Sequence, residues 1–420
     1  METLSYRHKA QERAAGSKSL AIIGVVASGN LEVLVERLLP DTECQVDINT
    51  AAEGFGAVWE AVVAGFVERR SPGGLEALRQ RWGCASRYGR PAPGTGRPPD
   101  RGGRSMNARK LEAPDVSRVA NSKTVSWYEA SARQRVRLML DAGSFREFIG
   151  PEQREQSPHL RVFDLPTQFD DGIVVGRGRI AGTPIFLAAQ EGRFMGGAFG
   201  EVHGAKLTGL LRAARDTKSV PVLILFDTGG VRLQEANAGE LAIAEIMRAL
   251  IEARMAGVKI VGLTGGRAGC YGGGGLIAGC CSALAVSEQG RIGVSGPEVI
   301  ETNRGVEEFD SRDRALVWRT MGGKHRRLLG GAEAFVDDTI QSFRNIALSL
   351  IGSVPSFGLD VLKAEQARLD ERLQRFGTCA DATDIWRAED IFDAEAVPAI
   401  SSLDFMDLAN RDGEPRYDAR

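Results

Sequence analysis

Residues Leu263 to Cys281 read LTGGRAGCYGGGGLIAGCC, with eight glycines between Gly265 and Gly279. Each glycine gives up side-chain packing and costs backbone entropy on folding. Such a stretch predicts a place where bare backbone is needed. It follows the apolar run VKIVGL and leads into LIAGCCSALA, the order strand, glycine turn, helix. Two upstream clusters repeat that order. FMGGAFG (Phe194 to Gly200) follows TPIFLAAQ and opens a helix, and DTGG (Asp227 to Gly230) follows VPVLILFD and leads into another. A strand that turns through glycines into a helix leaves N–H groups without partners at the positive end of the helix dipole. Three such turns predict an anion site built from backbone.

The turns sit in a long α/β region, from about Val125 to Ile351. IVVGRGRI and TPIFLAAQ read as a hairpin across Ala181 and Gly182; VPVLILFD, VKIVGLTG and SALAVSEQ are short apolar strands; GEVHGAKLTGLLRAARD and NAGELAIAEIMRALIEARMAG are helical. Residues 352–420 read as a helical extension, with one amphipathic helix around KAEQARLDERLQRF and an acidic, irregular end.

The anion is either a phosphate or a developing oxyanion. No G-x-x-x-x-G-K-[ST] sequence occurs, and a lone glycine cluster is a weak nucleotide signal. Paired N–H donors aimed at a thioester oxygen use no side chain, which suits these turns. The other candidates are side chains. His8, His159, His203 and His325 form no Ser-His-Asp or metal-ligand pattern, and His203 reads as structural. Cys270, Cys280 and Cys281 are candidate nucleophiles, the last two reading as packing residues of an apolar helix. Arg232, Gln234 and Glu235 follow the second turn, where they either hold a substrate carboxylate or tie down a helix start.

Composition sets outer bounds. The 420 residues are 43% hydrophobic, with 53 Lys and Arg against 55 Asp and Glu, so no global field favours nucleic acid or an anionic membrane. Six cysteines without a C-x-x-C pair argue against zinc or a disulfide framework and for a reducing cytoplasm. The run LAIIGVV from Leu20 is too short to span a bilayer, so neither export nor membrane insertion is expected. Residues 1–70 read as a small α+β module: strands LAIIGVV, LEVLVE and CQVDI, then a helix with apolar positions Phe55, Val58, Trp59, Val62, Val63 and Phe66. From Ser71 the chain turns rich in Arg, Gly and Pro. With aromatics limited to Trp82 and Tyr88, residues 71–124 read as a basic linker and junction rather than an RNA-binding tract. Met106 then resembles the start of a second, originally separate chain.

FMGGAFGEVHGAKL, DTGGVRLQEAN, GGRAGCYGGGG and GRIGVSGPEVIE, in that order, resemble the acyl-CoA carboxyltransferase family, most closely its malonate decarboxylase β-subunit branch. The resemblance covers residues 125–351 and implies a crotonase-like ββα superhelix working with a homologous γ subunit. It implies further that a glycine pair after the third strand supplies amides to the thioester oxygen. By motif alignment the pair is Gly272 and Gly273, with a shift to Gly274 left open because GGGG has no internal anchor. Gly196, Gly197, Gly229, Gly230 and Arg232 are the expected substrate-binding residues, and no metal is expected.

METLSYR, VVASGNLEVLVE and EGFGAVWEAV resemble the carrier (δ) subunits of the same system, over residues 1–70. That resemblance implies a phosphoribosyl-dephospho-coenzyme A arm on Ser28 or on a separate carrier, and a separate acyl-transferase α subunit that exchanges acetyl for malonyl. Carrier subunits continue past the helix with another ordered segment; here the linker is expected in its place. Together the resemblances imply decarboxylation of a malonyl thioester through an enolate. A biotin-dependent carboxyltransferase and a non-catalytic assembly subunit are the rival readings, although no biotin-accepting A-M-K-M sequence occurs in this chain.

Overall fold

The computed structural model describes residues 2–15, 19–24, 31–50, 54–81, 125–163, 165, 167–353, 356–391 and 393–410. The first module is one sheet carrying one helix. Strands β1 (Glu2–Lys9), β2 (Leu20–Gly24), β3 (Leu31–Glu36) and β4 (Glu43–Thr50) precede helix α1 (Gly56–Arg70), and β5 (Leu75–Arg81) follows it. Their order in the sheet is β1-β4-β5-β3-β2. In β4, Cys44, Val46 and Ile48 alternate inward and pack with Val33, Val35, Val63 and Val67 beneath α1.

The polar N-terminus forms β1, whose Leu4 and Tyr6 face the core while the strand pairs along its whole length with β4. One expectation about this module is corrected: the linker does not begin at Ser71. Residues 75–81 are the middle strand, parallel to β4 and antiparallel to β3, and supply the ordered segment expected to be missing. LEALRQR is too polar to stand out in sequence; the ladder on both of its edges makes it a strand. Residues 82–124 and Ser28 lie outside the described residues.

The second module starts with α2 (Ala132–Met139), β6 (Arg146–Glu147) and α3 (Pro158–Val162). The hairpin of β7 (Ile173–Ile180) and β8 (Thr183–Gln190) follows, turning at Ala181 and Gly182 with φ of 48° and 79°. Then come α4 (Glu201–Thr217), β9 (Val222–Phe226), α5 (Asn237–Met255), β10 (Ile260–Thr264), β11 (Cys270–Tyr271), α6 (Gly273–Gly279), β12 (Ala283–Val286) and β13 (Ile292–Gly293). Helices α7 (Pro297–Arg304), α8 (Arg314–Met321) and α9 (Gly323–Leu328) lead to β14 (Ala334–Phe335) and α10 (Ile340–Ser353).

Seven of these strands form one sheet, in the order β14-β12-β10-β9-β8-β7-β6 and parallel from β8 to β14. Strand β9 shows why continuous apolar runs belong at its centre. Val222, Ile224 and Phe226 face the layer that includes Leu207, Leu211, Ile246 and Leu250, while Leu223 and Leu225 face Val136, Met139, Ile340 and Phe343. Both faces are covered, so neither set alternates with polar residues.

After leaving this sheet, the chain forms a second, shorter parallel layer before each helix. Phe199 bridges Val231, Thr228 bridges Cys270, and β11 pairs with β13. Each repeat is thus strand, short second strand, helix, with glycines around the short second strand; in the third repeat Gly272 to Gly275 follow β11 and open α6. The C-terminal extension holds α11 (Leu359–Phe376), α12 (Ala382–Ala388) and α13 (Ser402–Asn410). The expected irregular end is therefore corrected: Trp386, Val397 and Phe405 are buried in the main core, Phe405 edge-on to Phe335 with ring centroids 4.6 Å apart.

Candidate active site

The three glycine turns are laced to one another by backbone hydrogen bonds. Gly229 N–H donates to Gly196 O (2.7 Å), Phe199 N–H to Gly230 O (2.8 Å) and Arg232 N–H to Phe199 O (2.9 Å), joining the first turn to the second. Thr228 N–H donates to Gly269 O (2.8 Å) and Tyr271 N–H to Thr228 O (2.9 Å), joining the second to the third. Side chains would block these approaches. A Cβ on Gly197 would lie 1.7 Å from Asp227 O, and Gly197, Gly230 and Gly272 have φ of 67°, 123° and 57°.

Two buried carboxylates pin the turns from outside. Asp227, at the end of β9, accepts from Arg135 Nη1 (2.9 Å) on α2 and from Ala268 N–H (2.7 Å) of the third turn. Its own N–H donates to the side-chain oxygen of Gln190 at the end of β8 (3.2 Å). Gly192 and Gly266 stand where a Cβ would meet the Asp227 carboxylate at 2.4 and 2.2 Å. Asp227 thus touches the ends of β8, β9 and β10 at once. The Arg135–Asp227 pair is almost wholly shielded from water, so losing one partner would leave an uncompensated buried charge.

The other carboxylate is Asp171, just before β7. Arg232 donates through Nη1 to Asp171 Oδ2 (2.8 Å) and to Glu235 Oε1 (3.0 Å), and through Nη2 to Asp171 O (2.8 Å). Glu235 Oε2 accepts from Glu201 N–H (2.6 Å), capping α4. His203 N–H also donates to Asp171 Oδ2 (3.0 Å). The His203 ring is fully buried between Asp171 O (3.2 Å from Nδ1) and Gln190 Nε2 (3.1 Å from Nε2). Its Nε2 therefore accepts from the Gln190 amide while Nδ1–H donates. Burial, reinforced by Arg232 and Lys206, pushes its pKa well down, so the neutral ring fits both bonds.

These contacts show where several of the expected substrate-binding residues lie. The Arg232 side chain has no exposed surface, and both its terminal nitrogens already serve Asp171 and Glu235. It ties the second turn to Asp171 and Glu235. Gly197 N–H donates to Phe194 O (2.8 Å), Gly229 N–H to Gly196 O (2.7 Å) and Gly230 N–H to Thr228 Oγ1 (3.1 Å). Those amides are used within the protein, and Gly196 contributes its carbonyl to the same lacing.

The third turn differs. The amides of Gly272, Gly273, Gly274 and Gly275 find no acceptor among the described residues, because they precede and begin α6. Gly274 is buried against Thr228, where a Cβ would sit 2.4 Å from its methyl carbon. Gly272 and Gly273 are partly open, and Gly272 combines φ 57° with ψ −130°, a backbone shape for glycine alone. No thiol competes: Cys270 is wholly buried, and burial drives its pKa well up. Cys281 is buried too, and Cys280 caps α6, which ends at Gly279 rather than running on through both cysteines as expected. No group of three or more His, Cys, Asp or Glu among the described residues is placed to hold a metal. No described helix is long and apolar enough to cross a membrane.

Asp227, Asp171, Arg135 and Gln190 were not singled out from sequence. The signal available was weak: acids at the ends of apolar strands, in VPVLILFD and DDGIVV. Their partners lie as far as 92 residues away, so only the fold reveals the pairing.

A family model described as the carboxyl transferase domain matches residues 129–323, and one described as the malonate decarboxylase delta subunit matches residues 18–77. The malonyl-S-ACP:biotin-protein carboxyltransferase of Malonomonas rubra is 44% identical over 240 residues, 54% of this chain and 75% of that protein. A chain of a Pseudomonas malonate decarboxylase hetero-tetramer, crystallised with malonate, is 40% identical. It superposes with a TM-score of 0.58 over 63% of this chain and 97% of its own length. The chain belongs to the malonate decarboxylase branch of the carboxyltransferase family. As in that family, the second module has the crotonase-like ββα fold. The first module is of the malonate decarboxylase carrier type: the acyl carrier protein of Bradyrhizobium diazoefficiens is 66% identical over 76 residues, 18% of this chain and 72% of that protein. The architecture is thus a δ-type carrier followed by a β-type carboxyltransferase domain in one malonate decarboxylase chain.

Proposed function

We propose that this chain decarboxylates a malonyl thioester to an acetyl thioester, with the Gly272 and Gly273 amides holding the thioester oxygen. The observation that carries this reading is a contrast among the turns: the amides of Gly197, Gly229 and Gly230 are engaged within the protein, while those of Gly272 and Gly273 are partly open and find no acceptor among the described residues. As the bond between the carboxylate carbon and the α-carbon breaks, carbon dioxide leaves and its electron pair passes through the α-carbon to the thioester oxygen. Two fixed N–H donors favour that enolate more than the ground-state carbonyl, which is the requirement for catalysis. Protonation of the α-carbon completes the acetyl thioester.

A carrier module calls for a covalent arm whose thiol holds the acyl group as a thioester. Ser28 is the attachment point in this reading. Strands β2 and β3 pair antiparallel as far as Gly24 opposite Glu32, and Ser28 is midway between these two in sequence, which fits one hydroxyl at a hairpin connection. The arm is taken to be phosphoribosyl-dephospho-coenzyme A, as in the carrier subunits the module resembles. The proposed partners are a homologous γ subunit, completing the site, and an acyl-transferase α subunit, in a cytoplasmic complex. Leu233, Leu276 and Val294, exposed on segments around the second and third turns, support a covering subunit there.

The Malonomonas relative's name supports the rival reading, transfer of the carboxyl group to biotin. The decisive measurement is carbon dioxide release from a malonyl thioester by the complex of this chain with its γ and α partners, with and without avidin. Avidin-insensitive release is expected; inhibition by avidin would replace decarboxylation with carboxyl transfer. A complex that assembles and stays fully active whichever of the Gly272 to Gly275 amides is removed would instead make this chain an assembly subunit.

A further inference from the structure

The carrier sheet has one face under α1, and its other face is divided in two. On β1 and β4 that outer face is polar and exposed, with Thr3 bonded to Asn49 (3.0 Å), Ser5 to Asp47 (2.5 Å) and Arg7 to Glu43. On β2 and β3 it is different. Val33 and Val35 point into the core beneath α1, so Leu34 and Glu36 point the other way, with Ile22 opposite Leu34 and Leu20 opposite Glu36 in the register. Leu20, Ile22 and Leu34 form an apolar patch that a free-standing carrier would expose. In the full chain it is covered: Leu34 has no exposed surface and packs with Phe169 of the carboxyltransferase module, itself only 3% exposed.

A second observation reaches the same seam from charge. Glu36 of β3 stands directly opposite Glu76 of β5, and like charges at opposed positions destabilise a sheet unless a cation joins them. The cation comes from the other module. Arg154 Nη2 lies 2.6 Å from Glu36 and 4.0 Å from Glu76. Arg154 closes the short turn Pro151–Gln153 in the left-handed region, φ 54°. The segment it opens also braces the site: Ser157 N–H donates to Asp171 Oδ1 (3.4 Å), and Leu160 packs on Phe194 of the first glycine turn. Phe169 precedes Asp171 by two residues.

We propose that Arg154 and Phe169 form a receptor through which the carboxyltransferase module engages its own carrier, by Phe169 against Leu20, Ile22 and Leu34 and by Arg154 against the Glu36–Glu76 pair. β2 and β3 flank residues 25–30, so docking by these strands rather than by α1 holds that connection's two ends at the body while leaving α1 outward. Docking in cis raises the effective concentration of the carrier at the site without added affinity. This purpose rests on the function proposed above; the docking itself does not.

The test uses the full chain in its complex and reads side-chain exposure by hydroxyl-radical footprinting. Leu34 and Phe169 are expected to react slowly in the native protein and severalfold faster in Arg154→Glu, with protection returning in the charge exchange Arg154→Glu/Glu36→Arg. Equal reactivity of both residues in the native protein and Arg154→Glu, or no recovery in the exchange, would overturn the proposal. Turnover of soluble malonyl-coenzyme A should be unchanged in Arg154→Glu, while turnover of carrier-borne malonyl falls tenfold or more; equal turnover of both substrates would remove the functional role. A complex inactive on every malonyl thioester would defeat the proposed reaction and leave the footprinting result standing.

Discussion

Gly197 and Asp227 approach so closely that a single added carbon on Gly197 would lie 1.7 Å from the Asp227 carbonyl oxygen. Gly196, its neighbour, has a similar φ of 64° but nothing within 4 Å of the same built carbon. The pair separates backbone strain from collision. Gly196→Ala should cost only the left-handed strain, about 1–2 kcal/mol. Gly197→Ala should lose about 1–3 kcal/mol more, because the first and second turns must move apart. Thermal unfolding of the two variants measures the difference, and equal midpoints would contradict the close lacing of these turns.

The buried Arg135–Asp227 pair predicts strong coupling. Arg135→Met leaves a carboxylate shielded from water with the Ala268 N–H facing it, and should cost about 3–5 kcal/mol. Changing Asp227 to Asn in the same chain removes the stranded charge and keeps an oxygen for Ala268. The double variant should therefore recover a large part of the loss in chemical denaturation. Simple addition of the two single effects would show that the pair is not coupled.

Gly273 is the first residue of α6, a position that tolerates proline because its N–H has no intrahelical acceptor. Its built Cβ meets Ile243 Cδ1 at 2.5 Å, so each variant should be made with Ile243→Ala to give room. Gly273→Ala keeps the N–H and Gly273→Pro deletes it. Turnover of malonyl thioester should fall about 100- to 1,000-fold between the two, with assembly of the complex unchanged. Turnover that is the same in both would move the amide pair elsewhere within Gly272 to Gly275.

His325 predicts an acid-sensitive core. It is 6% exposed beside Trp386, ring centroids 5.8 Å apart, and burial pushes its pKa from 6.5 down to about 3. Above pH 6.5 both folded and unfolded chains hold it neutral, and it has no effect on stability. As pH falls from 6.5 towards 3, the unfolded chain gains a proton that the folded one does not. Stability then drops by up to about 1.4 kcal/mol per pH unit. His325→Phe, which keeps a ring against Trp386, should unfold with a shallower pH dependence over that window. Parallel curves for wild type and variant would rule out this source.

The sequence was legible where local chemistry acts alone. Apolar runs such as VLILF, the Ala181–Gly182 turn and the helix beginning at Glu201 follow from burial on both faces, turn geometry and helical periodicity, and each lies where these rules put it. The three glycine turns were visible for the same reason, since glycine is needed wherever backbone meets backbone. Strand β5, Trp386 and Phe405 were not, because their burial comes from partners contributed by distant segments.

Sequence by itself therefore determined that glycines gather at three strand-to-helix turns, and that a carrier-like module precedes them in the same chain. Tertiary structure decided how the glycines divide their work. Gly196, Gly197, Gly229 and Gly230 tie turns together, Arg232 is held by Asp171 and Glu235, and the amides of Gly272 to Gly275 are left without acceptors. A glycine's residue type reports that space is short; which atom fills that space depends on strands brought together from across the chain.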